Sequence, residues 1–104
     1  MARKPEGGPA SDPEMLILAS LAEGPKHGYA IMKDIESFSG NQLGPGTLYT
    51  AITRLVERGW IEPEASDQRQ RPYRITRAGV RHLEAQLESM RRIANIGLRR
   101  LRFS

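Results

Sequence analysis

Apolar residues recur at helical spacing in three stretches of the first half of the chain. They predict helices over residues 13–23, 28–38 and 45–58. A glycine follows each stretch, as is typical where a helix ends. Proline stands at the first position of the first and third stretches, where its missing N–H costs no hydrogen bond. The pattern therefore predicts three short helices joined by tight turns.

Two short segments after the third helix have the composition of β-strands. They lie at residues 60–64 and 73–75 and are joined by a polar loop that contains arginine. Pro63 and Pro72 limit the pairing of both strands, so the ribbon should be short. Three helices followed by a two-stranded basic ribbon are the parts of a winged helix-turn-helix domain, which we predict over residues 13–75.

A long final helix is predicted after the ribbon, with Thr76 as its N-cap. Roughly 26 residues at 1.5 Å each extend about 39 Å, further than the preceding domain can cover. We therefore interpret residues 76–104 as a dimerisation helix, so that the chain is mainly α with a small β-wing. The alternative is that this helix folds back on its own domain. The apolar residues expected at the dimer interface are Val80, Leu83, Leu87, Met90, Ala94, Leu98 and Leu101.

The remaining sequence narrows the class of protein. Residues 1–12 are rich in Gly, Pro and charge and are predicted to form a disordered tail, or an arm that becomes ordered on a partner. A length of 104 residues suits one small domain, and the lack of Cys removes disulfides and thiolate metal sites. No apolar run approaches the roughly 18 residues of a membrane span, and no signal peptide is apparent. We expect a cytoplasmic protein without a membrane partner.

The sequence contains no pattern that points to catalysis or to a cofactor. His27 and His82 are the only histidines, and neither has a Cys or carboxylate at ligand spacing, so no metal site is predicted. There is no Ser-His-Asp arrangement and no Gly-rich loop followed by Lys-Ser or Lys-Thr. We therefore expect neither enzymatic activity nor a bound cofactor.

Basic charge is concentrated in the second half of the chain. Residues 46–104 carry twelve arginines and six acidic residues, whereas residues 1–45 carry four basic and six acidic residues. The planar fork of arginine suits phosphates and guanine edges, which makes double-stranded DNA the leading partner. The alternative is that these arginines solvate a winged helix that serves as a protein-interaction module.

The third helix and the ribbon carry the expected DNA contacts. In a helix-turn-helix protein the N-terminal half of the recognition helix enters the major groove. The side chains expected to reach bases or phosphates there are Thr47, Tyr49, Thr50, Thr53 and Arg54. Arg54 is the best candidate for reading guanine, because it can donate two hydrogen bonds to one base. On the ribbon, the arginines expected to meet the sugar-phosphate backbone or an adjacent minor groove are Arg69, Arg71 and Arg74.

Four blocks of the sequence together resemble the PadR family of transcriptional regulators. They read LASL and GPKHGYAI within residues 18–31, GPGTLY at 44–49, LVERGWI at 55–61 and YRITRAG at 73–79. The blocks follow the order and spacing of the family. Their combination, which covers about residues 16–83, is far more specific than any single block.

The resemblance implies a homodimeric repressor that pairs through its first and last helices and binds an imperfect palindromic operator. It also implies, for many members, a small-molecule effector that releases the DNA. By the same resemblance, Leu16 of the first helix joins the dimer interface. The family's DNA-facing positions correspond here to Tyr29, Pro45, Gly46, Thr47, Leu48 and Tyr49, together with the wing around Arg69 and Arg71. Tyr29 is implied by the resemblance alone.

Overall fold

The computed structural model of the chain describes residues 11–65 and 71–103. These ranges contain four α-helices and one two-stranded antiparallel sheet. In chain order they are α1 (Pro13–Leu21), α2 (Gly28–Ser39), α3 (Pro45–Glu57), β1 (Ile61–Pro63), β2 (Tyr73–Ile75) and α4 (Arg77–Arg102). The predicted fold, mainly helical with a small wing and a long C-terminal helix, is confirmed.

The first and last helices begin at side chains that cap them. Asp12 accepts a hydrogen bond from the backbone N–H of Glu14 at 3.2 Å, and Pro13 follows as the first residue of α1. Thr76 accepts one from the backbone N–H of Gly79 at 3.1 Å and thereby starts α4. Each cap satisfies a backbone donor that has no partner within the helix.

The second and third helices end at glycines with left-handed backbone conformations. Gly40 has a φ of 74° and Gly59 a φ of 76°, which residues with a Cβ rarely adopt. By contrast, α1 ends at Leu21, two residues earlier than predicted. Its last turn tightens because the N–H of Ala22 bonds to the carbonyl of Ala19, only three residues back.

One hydrophobic core lies between α1, α2 and α3 and is closed by β1 and the start of α4. Two predicted dimer-interface residues belong to this core, since Leu16 is 5% and Leu83 is 6% exposed. Their own chain already covers both side chains, and their place in the dimer interface stays a prediction. The core residues are Leu16, Ile17, Leu18, Leu21, Ile31, Ile35, Leu48, Ala51, Ile52, Leu55, Ile61 and Leu83.

The wing is short, and the turn between α1 and α2 is joined to it. β1 and β2 pair with Ile61 opposite Ile75 and Pro63 opposite Tyr73. Tyr73 also pairs with Lys26: the N–H of Lys26 donates to the Tyr73 carbonyl at 3.1 Å, and the reverse bond measures 2.9 Å. The sequence did not predict this link between the wing and the helical core.

After its first turns, α4 extends away from the domain. Near its start Gly79 is buried against the wing, and Leu83 one turn later lies in the core. From residue 91 to residue 103 every position except Gly97 is exposed, which does not agree with a helix folded back on its own domain. Neither α4 nor any other helix of the described ranges combines the length and apolarity that crossing a membrane requires.

Candidate nucleic-acid interface

One face of α3 lies in the core and the opposite face is exposed. Leu48, Ala51, Ile52 and Leu55 form the buried stripe. Leu48 is also among the residues predicted to face DNA, and its side chain lies within the buried stripe. The exposed residues of α3 that were predicted to contact DNA are Pro45, Gly46, Thr47, Tyr49, Thr50, Thr53 and Arg54.

The N-terminus of α3 presents backbone donors that no side chain of its own cap satisfies. Gly44 is the N-cap and makes no side-chain hydrogen bond to the helix, and the first turn contains no acidic residue. The unpaired N–H groups and the helix dipole favour an anion at such a position. The start of α3 therefore suits an anion such as a phosphate.

Two exposed tyrosines connect the start of α2 with the start of α3. The Tyr49 ring lies across Gly28, so closely that a Cβ added to Gly28 would be 2.3 Å from the Tyr49 hydroxyl oxygen. Tyr29 is exposed beside it in sequence, and the ammonium group of Lys33 lies 5.9 Å from the centre of the Tyr29 ring. Glycine at position 28 therefore allows the exposed parts of α2 and α3 to form one surface.

The polar side chains further along α3 differ in what they can still bind. The hydroxyl of Thr53 donates to the backbone carbonyl of Tyr49 at 2.9 Å, a bond within the helix that occupies its donor. Within residues 11–65 and 71–103, no acidic side chain forms an ion pair with Arg54, which is exposed. Its guanidinium is therefore available to a base edge or a phosphate.

The arginines of the wing are not equivalent. Arg74 donates to the carboxylate of Glu62, which lies directly opposite it in the β1–β2 pair. This pair is about half exposed and so contributes little stability, on the order of 0–1 kcal/mol, but it offsets the charge that Arg74 presents. Arg71 is exposed and forms no ion pair with another described residue. Arg69 lies outside the described residues.

A cleft of about 360 Å³ lies between α1 and α4, on a different part of the molecule from the exposed face of α3. Its wall contains Trp60 and His82, whose rings stack with their centres 3.7 Å apart. The Arg58 guanidinium lies 5.2 Å from the centre of the Trp60 ring and also pairs with Glu14 of α1. Among the described residues, no group of three or more His, Cys, Asp or Glu side chains is placed to hold a metal ion.

A three-helix core with an exposed third helix and an antiparallel ribbon defines a winged helix-turn-helix protein. The model of the transcriptional regulator PadR-like family matches residues 17–85 of this chain. The chain therefore belongs to the PadR-like family of transcriptional regulators, and the resemblance inferred from its four sequence blocks is confirmed.

Solved structures of similar proteins agree with this assignment. A PadR family transcription regulator from Clostridium difficile superposes with a TM-score of 0.74 at 26% identity, over 81% of this chain and 92% of that one. A transcriptional regulator from Clostridium thermocellum gives a TM-score of 0.70 at 29% identity, over 81% of this chain and 84% of that one.

A curated relative from Streptomyces fradiae is described as an uncharacterized 37.1 kDa protein in transposon Tn4556. It is 46% identical over 84 residues, which are 81% of this chain and 24% of the relative. The chain thus spans about a quarter of the length of the curated relative that it matches.

Proposed function

We propose that this chain is a homodimeric repressor that binds an imperfect palindromic operator in double-stranded DNA. The observation that carries the proposal is the face of α3 opposite its buried stripe, which exposes Thr47, Thr50 and Arg54 beside an uncapped helix start. In a two-fold dimer, the two copies of α3 would enter successive major grooves about 34 Å apart. The protein would act in the cytoplasm without a catalytic step.

The contact residues divide into two groups by the chemistry they offer. Arg54 projects from the exposed face of α3 and can donate two hydrogen bonds to one guanine, which gives sequence preference. Arg71 lies beside the wing, where an arginine neutralises phosphates irrespective of sequence and makes affinity depend on salt. Tyr29, Lys33 and Tyr49 extend the same surface to the start of α2.

Dimerisation is supported by the apolar residues that α4 leaves exposed. Val80, Leu87, Leu98 and Leu101 are exposed in the single chain, and Met90 and Ala94 complete the predicted seam between them. Burial of apolar surface contributes roughly 25 cal/mol per Å², so pairing two such helices stabilises both copies. The spacing of these residues is that of a helix that packs along one side.

Release by a small molecule is the third part of the proposal. The cleft between α1 and α4 falls within the range of ligand sites, about 300–1000 Å³, and the stacked Trp60 and His82 rings form part of its wall. Trp60 is the only tryptophan of the chain, so its fluorescence reports on this cleft directly. A compound that quenches Trp60 and lowers operator affinity would be such an effector.

Fluorescence anisotropy with labelled duplexes tests DNA binding. The purified protein is titrated into a duplex from the region upstream of its own gene and into a scrambled duplex of the same composition, across a series of salt concentrations. We expect tight binding that prefers the upstream duplex and weakens steeply as salt rises. Failure to bind either duplex at low salt would contradict the proposal and favour a protein-interaction module.

A further inference from the structure

Two charged residues face each other on the outer side of the wing. In the β1–β2 pair, Glu62 lies directly opposite Arg74, and its carboxylate accepts a hydrogen bond from the Arg74 guanidinium. Successive side chains of a strand point to opposite faces of the sheet. Because Ile61 is buried and Ile75 packs against the core, Glu62 and Arg74 point away from the core. The outer face of the wing therefore carries an ion pair.

The wing as a whole has no excess of positive charge. Residues 61–75 contain three arginines, but they also contain three acidic residues. Residues 76–104, by contrast, contain seven arginines and two acidic residues. The carboxylates of the wing match its arginines in number, so the wing attracts phosphates less strongly than its arginines alone would do.

The ion pair of the wing is weak enough to open and close enough to DNA phosphates to matter. The Arg74 side chain is 48% exposed and the Glu62 side chain is 46% exposed, and exposed pairs of this kind contribute little stability. A phosphate in contact with Arg74 would lie within the roughly 8 Å over which exposed charges still interact at physiological salt. Glu62 therefore opposes a phosphate in two ways, because it occupies donors of Arg74 and repels the phosphate itself.

Two other arginines of the proposed DNA surface lack such a restraint. Arg54 and Arg71 are both exposed, and in the part of the chain that the structure describes neither forms an ion pair. Arg54 on α3 can read a base edge, whereas an arginine of the wing contacts phosphates irrespective of sequence. The chain thus leaves its base-reading arginine free and restrains one arginine that would add affinity for any duplex.

We propose that Glu62 limits the sequence-independent affinity of the wing for DNA by holding Arg74 away from the phosphates. The proposal rests on the DNA binding proposed above and names a residue that sets its strength. With Arg74 restrained, the base contacts of α3 supply a larger share of the binding free energy. Removal of an acidic side chain from the wing should then strengthen the binding of every duplex.

Glu62→Gln tests the proposal in anisotropy titrations with the upstream and the scrambled duplex. Glutamine keeps the size of the side chain and removes its charge. We expect this variant to bind both duplexes about three- to fivefold more tightly at about 50 mM salt, because Arg74 gains a phosphate. One added phosphate contact steepens the slope of log affinity against log salt concentration by about 0.9, so most of the gain should disappear at about 200 mM salt.

Glu88→Gln on α4 is the matched control. Glu88 accepts a hydrogen bond from Arg91 at 2.6 Å, and this pair is also exposed. Each of the two substitutions raises the net charge by one unit and releases one arginine, but only Glu62→Gln does so on the wing. We expect Glu88→Gln to bind both duplexes within about twofold of the unaltered chain. Equal gains in the two variants would trace the effect to net charge and would overturn the proposal.

The double variant Glu62→Gln with Arg74→Gln identifies the group that gains the phosphate. It removes both charges of the pair, so the wing keeps its net charge but loses the arginine. We expect it to bind both duplexes within about twofold of the unaltered chain and with the same salt slope. A gain that persists in the double variant would overturn the role of Arg74. Far-UV circular dichroism verifies that each variant is folded.

The outcomes separate this proposal from the DNA-binding function itself. If the unaltered chain binds neither duplex at low salt, the proposed function is overturned and the role of Glu62 with it. If the unaltered chain binds DNA but Glu62→Gln binds no more tightly, the role of Glu62 alone is overturned. Weaker binding of Glu62→Gln has the same consequence, because the carboxylate would then position Arg74 for DNA.

Discussion

Gly79 is buried where α4 packs against Trp60 and the wing, and a single methyl group added there should destabilise the fold. In Gly79→Ala the new Cβ would lie 2.1 Å from the carbonyl oxygen of Trp60 and 2.8 Å from Cγ1 of Ile75. That carbonyl accepts a bond from the N–H of Thr76 at 2.9 Å, so its movement would disturb the junction between the wing and α4. The start of α4 would have to move outward by roughly 1–2 Å to reach an ordinary contact distance.

The magnitude follows from three contributions. Overpacking of this kind costs about 1–3 kcal/mol, and weakening of the bond to Trp60 adds about 0.5–1.5 kcal/mol. The better helix propensity of alanine offsets about 0.8–1.0 kcal/mol. We expect the free energy of unfolding to fall by about 1–3 kcal/mol, which lowers the Tm by roughly 5–20 °C for a domain of this size.

Gly97 on the same helix provides the matched control. A Cβ there meets nothing within 4 Å in the single chain, so Gly97→Ala should stabilise the helix by up to about 1 kcal/mol. Both variants are unfolded in urea and followed by far-UV circular dichroism at equal chain concentration, since dimerisation shifts the transition. Equal stability of Gly79→Ala and the unaltered chain, or equal shifts in both variants, would refute the close approach of α4 to the wing.

Four further substitutions test the DNA interface and the core. Arg54→Ala should reduce the preference for operator over scrambled DNA by about 1–3 kcal/mol. Arg71→Ala should weaken binding to both duplexes equally and should lower the slope of log affinity against log salt concentration by about 1. Identical effects of the two substitutions in anisotropy titrations would contradict this division. Gly28→Ala should displace the Tyr49 ring and weaken operator binding. Its loss of Tm should be smaller than that of Gly79→Ala, because the Tyr49 side chain can rotate into solvent. An unchanged binding curve would argue against the packing of Tyr49 on Gly28. Ser20→Ala removes a buried hydroxyl that donates to the Asp34 carboxylate. The free energy of unfolding in urea should fall by about 1–3 kcal/mol. An unchanged transition midpoint would count against that hydrogen bond.

The local elements could be predicted because their signals lie within a few residues of each other. The stripe of Leu48, Ala51, Ile52 and Leu55 repeats at helical spacing, and it is buried as the period requires. The same stripe places the Leu48 side chain in the core. The resemblance assigned the whole segment at the start of α3 to DNA, whereas the helical period assigns each side chain to a face.

Helical periodicity indicates that a side chain is buried but not which chain buries it. Leu83 and Leu87 both belong to the apolar repeat of α4, yet Leu83 lies in the core of its own domain and Leu87 is exposed. Leu16 of α1 is likewise buried by its own chain. The distinction depends on where α4 leaves the domain, which the packing of α4 against α1 and the wing decides.

The close contacts that shape the interface join residues far apart in sequence. Gly28 meets Tyr49, and Gly79 meets the backbone of Trp60. A glycine in a helix costs stability unless a neighbour requires the space. Glycines at positions 28 and 79, near the starts of α2 and α4, therefore indicate from the sequence that another group lies close to the helix there. Only the structure identifies those groups.

Rigid positioning of the wing relative to α3 connects these packing details with DNA binding. The Thr76 hydroxyl donates to the carbonyl of Gly59 at 2.6 Å, and the Thr76 N–H donates to the carbonyl of Trp60. These two bonds join β2 and α4 to the residues that follow α3. On the other side, the two bonds between Lys26 and Tyr73 join β2 to the turn before α2. A wing held on both sides loses little conformational freedom when it meets phosphates, and pre-organisation of this kind raises affinity without adding a contact. On the proposed function, Gly28, Gly79 and the two short strands would contribute to DNA binding through the fixed geometry between α3 and the wing strands.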